Sequence, residues 1–214
     1  MSSSSAFLQA NEYIEMRERE MRRRWQNLPD ELILKILSYL EVKDLISCGQ
    51  LSKRTRNISQ DRSLWVTANL EKKFVRTELL EMILGKGCKI LNLSNSTIVG
   101  SLRRNMISHL KVLKMADVSV CPDMACPGPL CSEHCLGNIE VLEELLFSCR
   151  SLQHLEMEGV HLTPEMADSI CKNAQTLQML SLNDPLIDES YEYTLIQKII
   201  RCCQELKEVD LGYT

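Results

Sequence analysis

Apolar positions follow a helical period early in the chain and a strand period later, so two kinds of architecture are expected. Leu32, Ile33, Ile36, Leu37 and Leu40 recur at i, i+1, i+4, i+5 and i+8, one stripe along a short helix. Leu28-Pro29-Asp30-Glu31 reads as its start, because proline fits a first turn and two acids suit the positive end of the helix dipole. A second helix is predicted over Val42 to Cys48, with Gly49 past its end, and a third, basic one over Ser52 to Ser59. Asp61-Arg62-Ser63-Leu64-Trp65 closes the segment. Three short helices make a small core. Part of their apolar surface is therefore expected to be an interface.

Further along, one strand-like pair of apolar residues recurs: Leu91-x-Leu93, Leu113-x-Met115, Leu155-x-Met157, Leu180-x-Leu182 and Val209-x-Leu211. Three residues before each pair stands Cys88, Leu110, Leu152, Leu177 or Leu206, and five after the first four come Ile98, Val120, Leu162 and Ile187. Thr163 and Asp188 then read as helix N-caps, and Thr77 to Leu84 as an earlier helix stopped at Gly85. The pairs are separated by 22, 42, 25 and 29 residues (91→113→155→180→209), and three of these intervals suit a strand-plus-helix repeat. No such unit buries its apolar face alone, so the units are expected to stack. The final strand reaches Leu211 without a following helix or polar cap, so the array is expected to continue or to self-associate at that end.

Composition narrows the function classes. The net charge of −4 is made of interspersed acids and bases, which gives no general reason to expect nucleic acid or membrane as partner. No apolar run approaches the ~20 residues needed to span a bilayer. The serine-rich start lacks the basic and apolar regions of a secretory signal, which points to the cytoplasm or nucleus and to mostly reduced cysteines. Ser2 to Ser5 are expected to lack regular structure, and Asn11 to Arg24 to form a solvated helix with i,i+4 pairs such as Glu15–Arg19.

Leu28-Pro29-x-Glu31-Leu32, Ile36-Leu37-x-x-Leu40, Asp44-Leu45 and Leu64-Trp65, in that order, resemble the F-box. With the repeats that follow, the chain resembles the F-box/leucine-rich-repeat family, and its Trp25-to-Leu32 and Ser63-Leu64-Trp65 segments resemble most the S-phase kinase-associated subgroup. The resemblance implies an α/β chain: a charged N-terminal segment (1–24), a three-helix F-box (25–70), and a short leucine-rich-repeat arc (71–214) with a Cys-rich insertion at about 121–137. It implies docking to a Skp-type adaptor, and through it to a cullin scaffold, by Leu28, Pro29, Glu31, Leu32, Ile33, Ile36, Leu37, Leu40, Leu45 and Trp65. Two departures stand out. Thr55 occupies the place where the family usually has Trp, which predicts weaker docking. Ser96, Val118, Val160 and Pro185 stand where many such repeats place Asn or Cys, so no amide ladder is expected.

No catalytic constellation is present: the four histidines lack HExxH spacing, and Gly85-Lys86-Gly87 is too short for a phosphate loop. Cys121, Cys126, Cys131 and Cys135, with His134 among them, could supply a zinc site. Their spacings are not those of common zinc knuckles, and Pro122, Pro127 and Pro129 favour a plain loop, so no cofactor is expected. Strand alternation should point Asn92, Ser94, Lys114, Ala116, Glu156, Glu158, Ser181, Asn183, Glu208 and Asp210 to solvent. Lys114, Glu156, Glu158, Glu208 and Asp210 are the candidate contacts for a protein substrate. The implied function is a non-catalytic substrate-recognition subunit of an SCF-type ubiquitin ligase. The alternative is an adaptor-binding scaffold without ligase clients.

Overall fold

The structure is a computed structural model that describes residues 3–103, 106–121, 139–160, 162–182 and 192–212. The chain divides after Leu64 into two compact units.

The first unit is helical: α1 (Ser3–Asn27), α2 (Asp30–Leu37), α3 (Val42–Leu51) and α4 (Lys53–Ser59), with a 3-10 turn over Arg62–Trp65 at the boundary. On α1, Glu15 pairs with Arg19 at 3.3 Å and Glu20 with Arg24 at 2.6 Å, both with the acid N-terminal as the helix dipole favours. The helix extends back to Ser3, where no regular structure was expected, because each residue added to a formed helix gains one further hydrogen bond. Gly49 lies inside α3 rather than beyond it. A Cβ at Gly49 would stand 3.0 Å from Ser59 Oγ, so the missing side chain lets α3 and α4 approach.

The second unit is built on parallel strands. Its main sheet contains β1 (Thr67–Asn69), β3 (Ile90–Asn92), β5 (Val112–Ala116), β7 (His154–Glu158), β8 (Met179–Ser181) and β9 (Glu208–Asp210), in that order. Ala68, Leu91, Leu113, Leu155, Leu180 and Val209 stand side by side in register, and all but Val209 are buried. The sheet starts one strand earlier than the leucine pattern indicates, since Ala68-x-Leu70 occupies the same register with a residue too small to stand out. Backbone bonds continue the ladder beneath the strands: Lys111 N donates to Lys89 O, Gln153 N to Lys111 O, Gln178 N to Gln153 O and Lys207 N to Gln178 O, each at 2.8 Å.

A second parallel sheet joins β2 (Phe74–Arg76), β4 (Thr97–Val99) and β6 (Ser119–Cys121), with Val75, Ile98 and Val120 buried side by side. Lys72, Asn95, Asp117 and Gly159 share a repeated position, two residues past the buried Leu70, Leu93, Met115 and Met157. All four have positive φ, between 49° and 61°. That left-handed step redirects the chain after β1, β3, β5 and β7. Gly159 has a further reason to be glycine: a Cβ there would fall 2.5 Å from Asp117 Oδ1.

Helices α5 (Thr77–Gly85), α6 (Glu140–Ser148), α7 (Pro164–Cys171) and α8 (Glu192–Cys202) cover the strands, with α6 against α7 and α7 against α8. Thr163 caps α7 as predicted, its Oγ1 accepting from Met166 N at 3.2 Å ahead of Pro164. Ile187 and Asp188, expected to open the next helix, lie outside the described residues. Cys88, Cys149 and Cys203 are buried and serve as small core residues. Ser96, Val118, Val160 and Pro185 offer no amide for a ladder, but a single amide elsewhere ties one corner. Buried Asn173 donates from Nδ2 to Cys149 O and Ser169 O, both at 3.2 Å, and its Oδ1 accepts from Leu152 N at 3.0 Å. The amide sits just past α7 rather than after a strand, so it reaches the preceding corner from the helix side.

Candidate functional site

The local fold of the first unit decides which apolar side chains can meet a partner. Pro29 caps α2 from an extended conformation, and its carbonyl accepts from Leu32 N at 3.1 Å and Ile33 N at 3.2 Å. Asp30 and Glu31 occupy the first turn, where their charge favours helix formation. With only eight residues, α2 turns one face toward α4 and buries Ile33 and Leu37, while the adjoining face carries Leu32 at 51% and Ile36 at 43% exposure.

The predicted docking residues therefore separate into two groups. Ile33, Leu37 and Leu45 are buried and shape the module, and Trp65, the first residue of the second unit, is buried as well, so none of the four is open to a partner. Pro29, Glu31, Leu32 and Ile36 are exposed, and Leu28 and Leu40 are half-buried. Sequence reasoning gave no weight to Tyr39 and Leu51, each 75% exposed. Tyr39 falls off the α2 stripe and Leu51 closes α3, so periodicity gave neither any weight. The Lys35 ammonium lies 5.1 Å from the Tyr39 ring, at the solvent end of the same surface.

Two interactions hold this surface in place. Arg54 on α4 reaches three acceptors: Gln26 O at 2.8 Å, Leu28 O, and Asp30 Oδ1 at 2.7 Å. One planar guanidinium thus fixes the segment between α1 and α2, a geometry that a lysine could not reproduce. Thr55 completes a capping box with Ser52: Thr55 N donates to Ser52 Oγ and Ser52 N donates to Thr55 Oγ1, both at 3.1 Å. Thr55 is almost fully buried, so this position is filled and hydrogen-bonded by the smaller residue. The boundary turn is capped as well. Asp61 Oδ1 accepts from Ser63 Oγ at 2.6 Å and Ser63 N at 2.8 Å, which holds the Asp61 carboxyl below its usual range.

In the second unit, the polar positions of the main sheet are only partly as expected. Lys114, Glu158, Glu208 and Asp210 are exposed, and Asn92, Glu156 and Ser181 are half-buried. Ser94 and Ala116 are buried, contrary to the expectation that they face solvent. Each stands one residue before a left-handed step, where the strand ends, although Glu158 at the same place before Gly159 stays exposed. Lys114 and Glu156 form an ion pair at 2.7 Å. Asn183 lies outside the described residues. So do Cys126, Cys131, Cys135 and His134 of the candidate zinc set, while Cys121 ends β6 as a buried residue. Among the described residues no group of three or more His, Cys, Asp or Glu side chains is placed to hold a metal ion. No helix among them is long and apolar enough to cross a membrane.

Residues 25–71 match the family model described as F-box-like. An F-box-like domain therefore spans α2 to α4, the 3-10 turn and β1, and it includes the exposed Leu32 and Ile36.

Proposed function

We propose that this chain is the non-catalytic substrate-recognition subunit of an SCF-type ubiquitin ligase, docking through residues 25–71 to a Skp-type adaptor and through it to a cullin. F-box domains typically bind such adaptors. The observation that carries the reading is the coincidence of that match with an apolar face on α2, Leu32 and Ile36, that the module leaves uncovered. Exposed apolar side chains on a small helical module mark a place where another protein excludes water.

The second unit is read as a leucine-rich-repeat arc, on the strength of its in-register parallel strands and the left-handed step repeated after four of them. Lys114, Glu156, Glu158, Glu208 and Asp210 are the proposed client contacts. The task is positioning: holding a target protein near a charged conjugating enzyme raises its local concentration without chemistry in this chain. The proposed setting is the cytoplasm or nucleus.

The test is affinity purification of the full chain from cells under proteasome inhibition. A Skp-type adaptor, a cullin and ubiquitinated clients are expected together. Adaptor without cullin or ubiquitinated clients would leave an interaction scaffold, and absence of the adaptor would overturn the reading.

A further inference from the structure

Helices α7 and α8 pack side by side, and Lys198 on α8 forms an ion pair with Asp168 on α7. Residues three and four apart on a helix share a face. One turn beyond Asp168 lies Cys171, the last residue of α7, and one turn beyond Lys198 lies Cys202, the last residue of α8. The ion pair and the two cysteines thus form successive rungs across one helix–helix seam. Cys171 and Cys202 therefore stand beside each other at the end of the seam, near enough that the Cys202 thiol helps to push the Cys171 thiol up. Cys202 is exposed and Cys171 half-exposed, so a small oxidant can reach the pair.

We propose that Cys171 and Cys202 are a reversible oxidation site, closing to an interhelix disulfide under peroxide and reopening with a dithiol reductant.

The chemistry balances with hydrogen peroxide as oxidant. The more exposed Cys202 sulfur, as thiolate, attacks one peroxide oxygen; the O–O bond breaks, and the departing hydroxide takes up a proton to become water. Cys202 is now a sulfenic acid. The Cys171 sulfur attacks it, the S–S bond forms as the S–O bond breaks, and the hydroxyl leaves with the Cys171 proton as a second water. Two thiols have given two electrons to one peroxide.

The surroundings assign the roles. Burial, first, and then the adjoining Cys202 thiol push the Cys171 thiol up to about 12, so Cys171 suits the second, resolving step. The Lys198 ammonium lies near enough to Cys171 to oppose part of that rise. Cys203 is the competitor in sequence, but its side chain is buried in the core beside Ile199. Closing the link would tie α7 to α8, and so β8 to β9, without touching the F-box-like domain.

The experiment uses the full chain, reduced, treated with hydrogen peroxide, quenched by alkylation and mapped by mass spectrometry. A Cys171–Cys202 cross-linked peptide is expected. It should vanish in Cys202→Ser, persist in Cys203→Ala, and reopen with dithiothreitol. The oxidised chain should unfold at a Tm higher by on the order of 5 °C, a gain absent from Cys202→Ser. The Cys202→Ser side chain is solvent-exposed, so this variant should fold, and circular dichroism checks that it does. Separate over-oxidation of the two thiols, or a link that uses Cys203 or another chain, overturns the proposal.

Discussion

Lys114 Nζ and Glu156 Oε2 lie 2.7 Å apart on neighbouring strands, directly across the β5–β7 register. Both side chains are more than a third exposed, so the pair adds only about 0.5 kcal/mol to stability. Its larger effect is on surface charge. A lysine and a carboxylate that looked like separate client contacts largely cancel each other, and the acidic character of the face shifts to Glu158, Glu208 and Asp210.

Reversing Glu158, Glu208 and Asp210 to Lys is therefore expected to remove basic clients from a proximity-labelled partner set while leaving adaptor capture intact. Glu156→Gln should change that set little. The check is quantitative proteomics of both variants against the parent chain; an unchanged set in the triple variant would move the client contact elsewhere.

On α2, exposed and buried positions should fail in different ways. Pro29→Ala with Ile36→Ala is expected to abolish adaptor capture with the circular dichroism spectrum unchanged, since Ile36 faces solvent. Ile33→Ala, at a fully buried position, should instead destabilise the module by about 2–4 kcal/mol and lose capture through unfolding. Pull-down combined with urea denaturation separates the two outcomes.

Asn173→Ala removes three buried hydrogen bonds and strands the Leu152 N–H and the Cys149 carbonyl. The expected loss is about 3 kcal/mol, read as a lower urea midpoint with unchanged slope. Asn173→Asp should also be costly, because a carboxylate repels the two carbonyls to which Nδ2 donates.

Cys121 is buried at the end of β6, as a packing residue would be. Elemental analysis of protein purified without added metal is expected to return well under one zinc per chain. Chelation should leave proteolysis between Met115 and Ile139 unchanged. About one zinc per chain, with faster cleavage after chelation, would restore Cys121, Cys126, Cys131 and Cys135 as ligands.

The elements that could be read from sequence are those whose signal is a run of large apolar residues. Leu91, Leu113, Leu155 and Leu180 lie in one register as their spacing implied, and Thr163-Pro164 begins a helix. Ala68 escaped because a methyl group carries little hydrophobic signal. The repeated turn escaped because its requirement is a left-handed backbone, which Lys72, Asn95, Asp117 and Gly159 meet with four different side chains. At the docking surface, periodicity found the α2 stripe but could not divide it. Leu32 and Ile33 differ by one position and by half their surface, and only the packing of α4 decides which is covered. Arg54 and Asn173 were unreadable for a related reason: each acts through backbone carbonyls far away in sequence.

Leu113 and Leu155 stand opposite each other although 42 residues separate them, nearly twice the 22 between Leu91 and Leu113. The sheet counts residues only within its strands, so intervals of 22 and 42 residues leave the same side chains opposite each other. A single-residue deletion inside β5 or β7 is a different matter: it would turn every later side chain of that strand to the other face and exchange core for solvent along the whole seam.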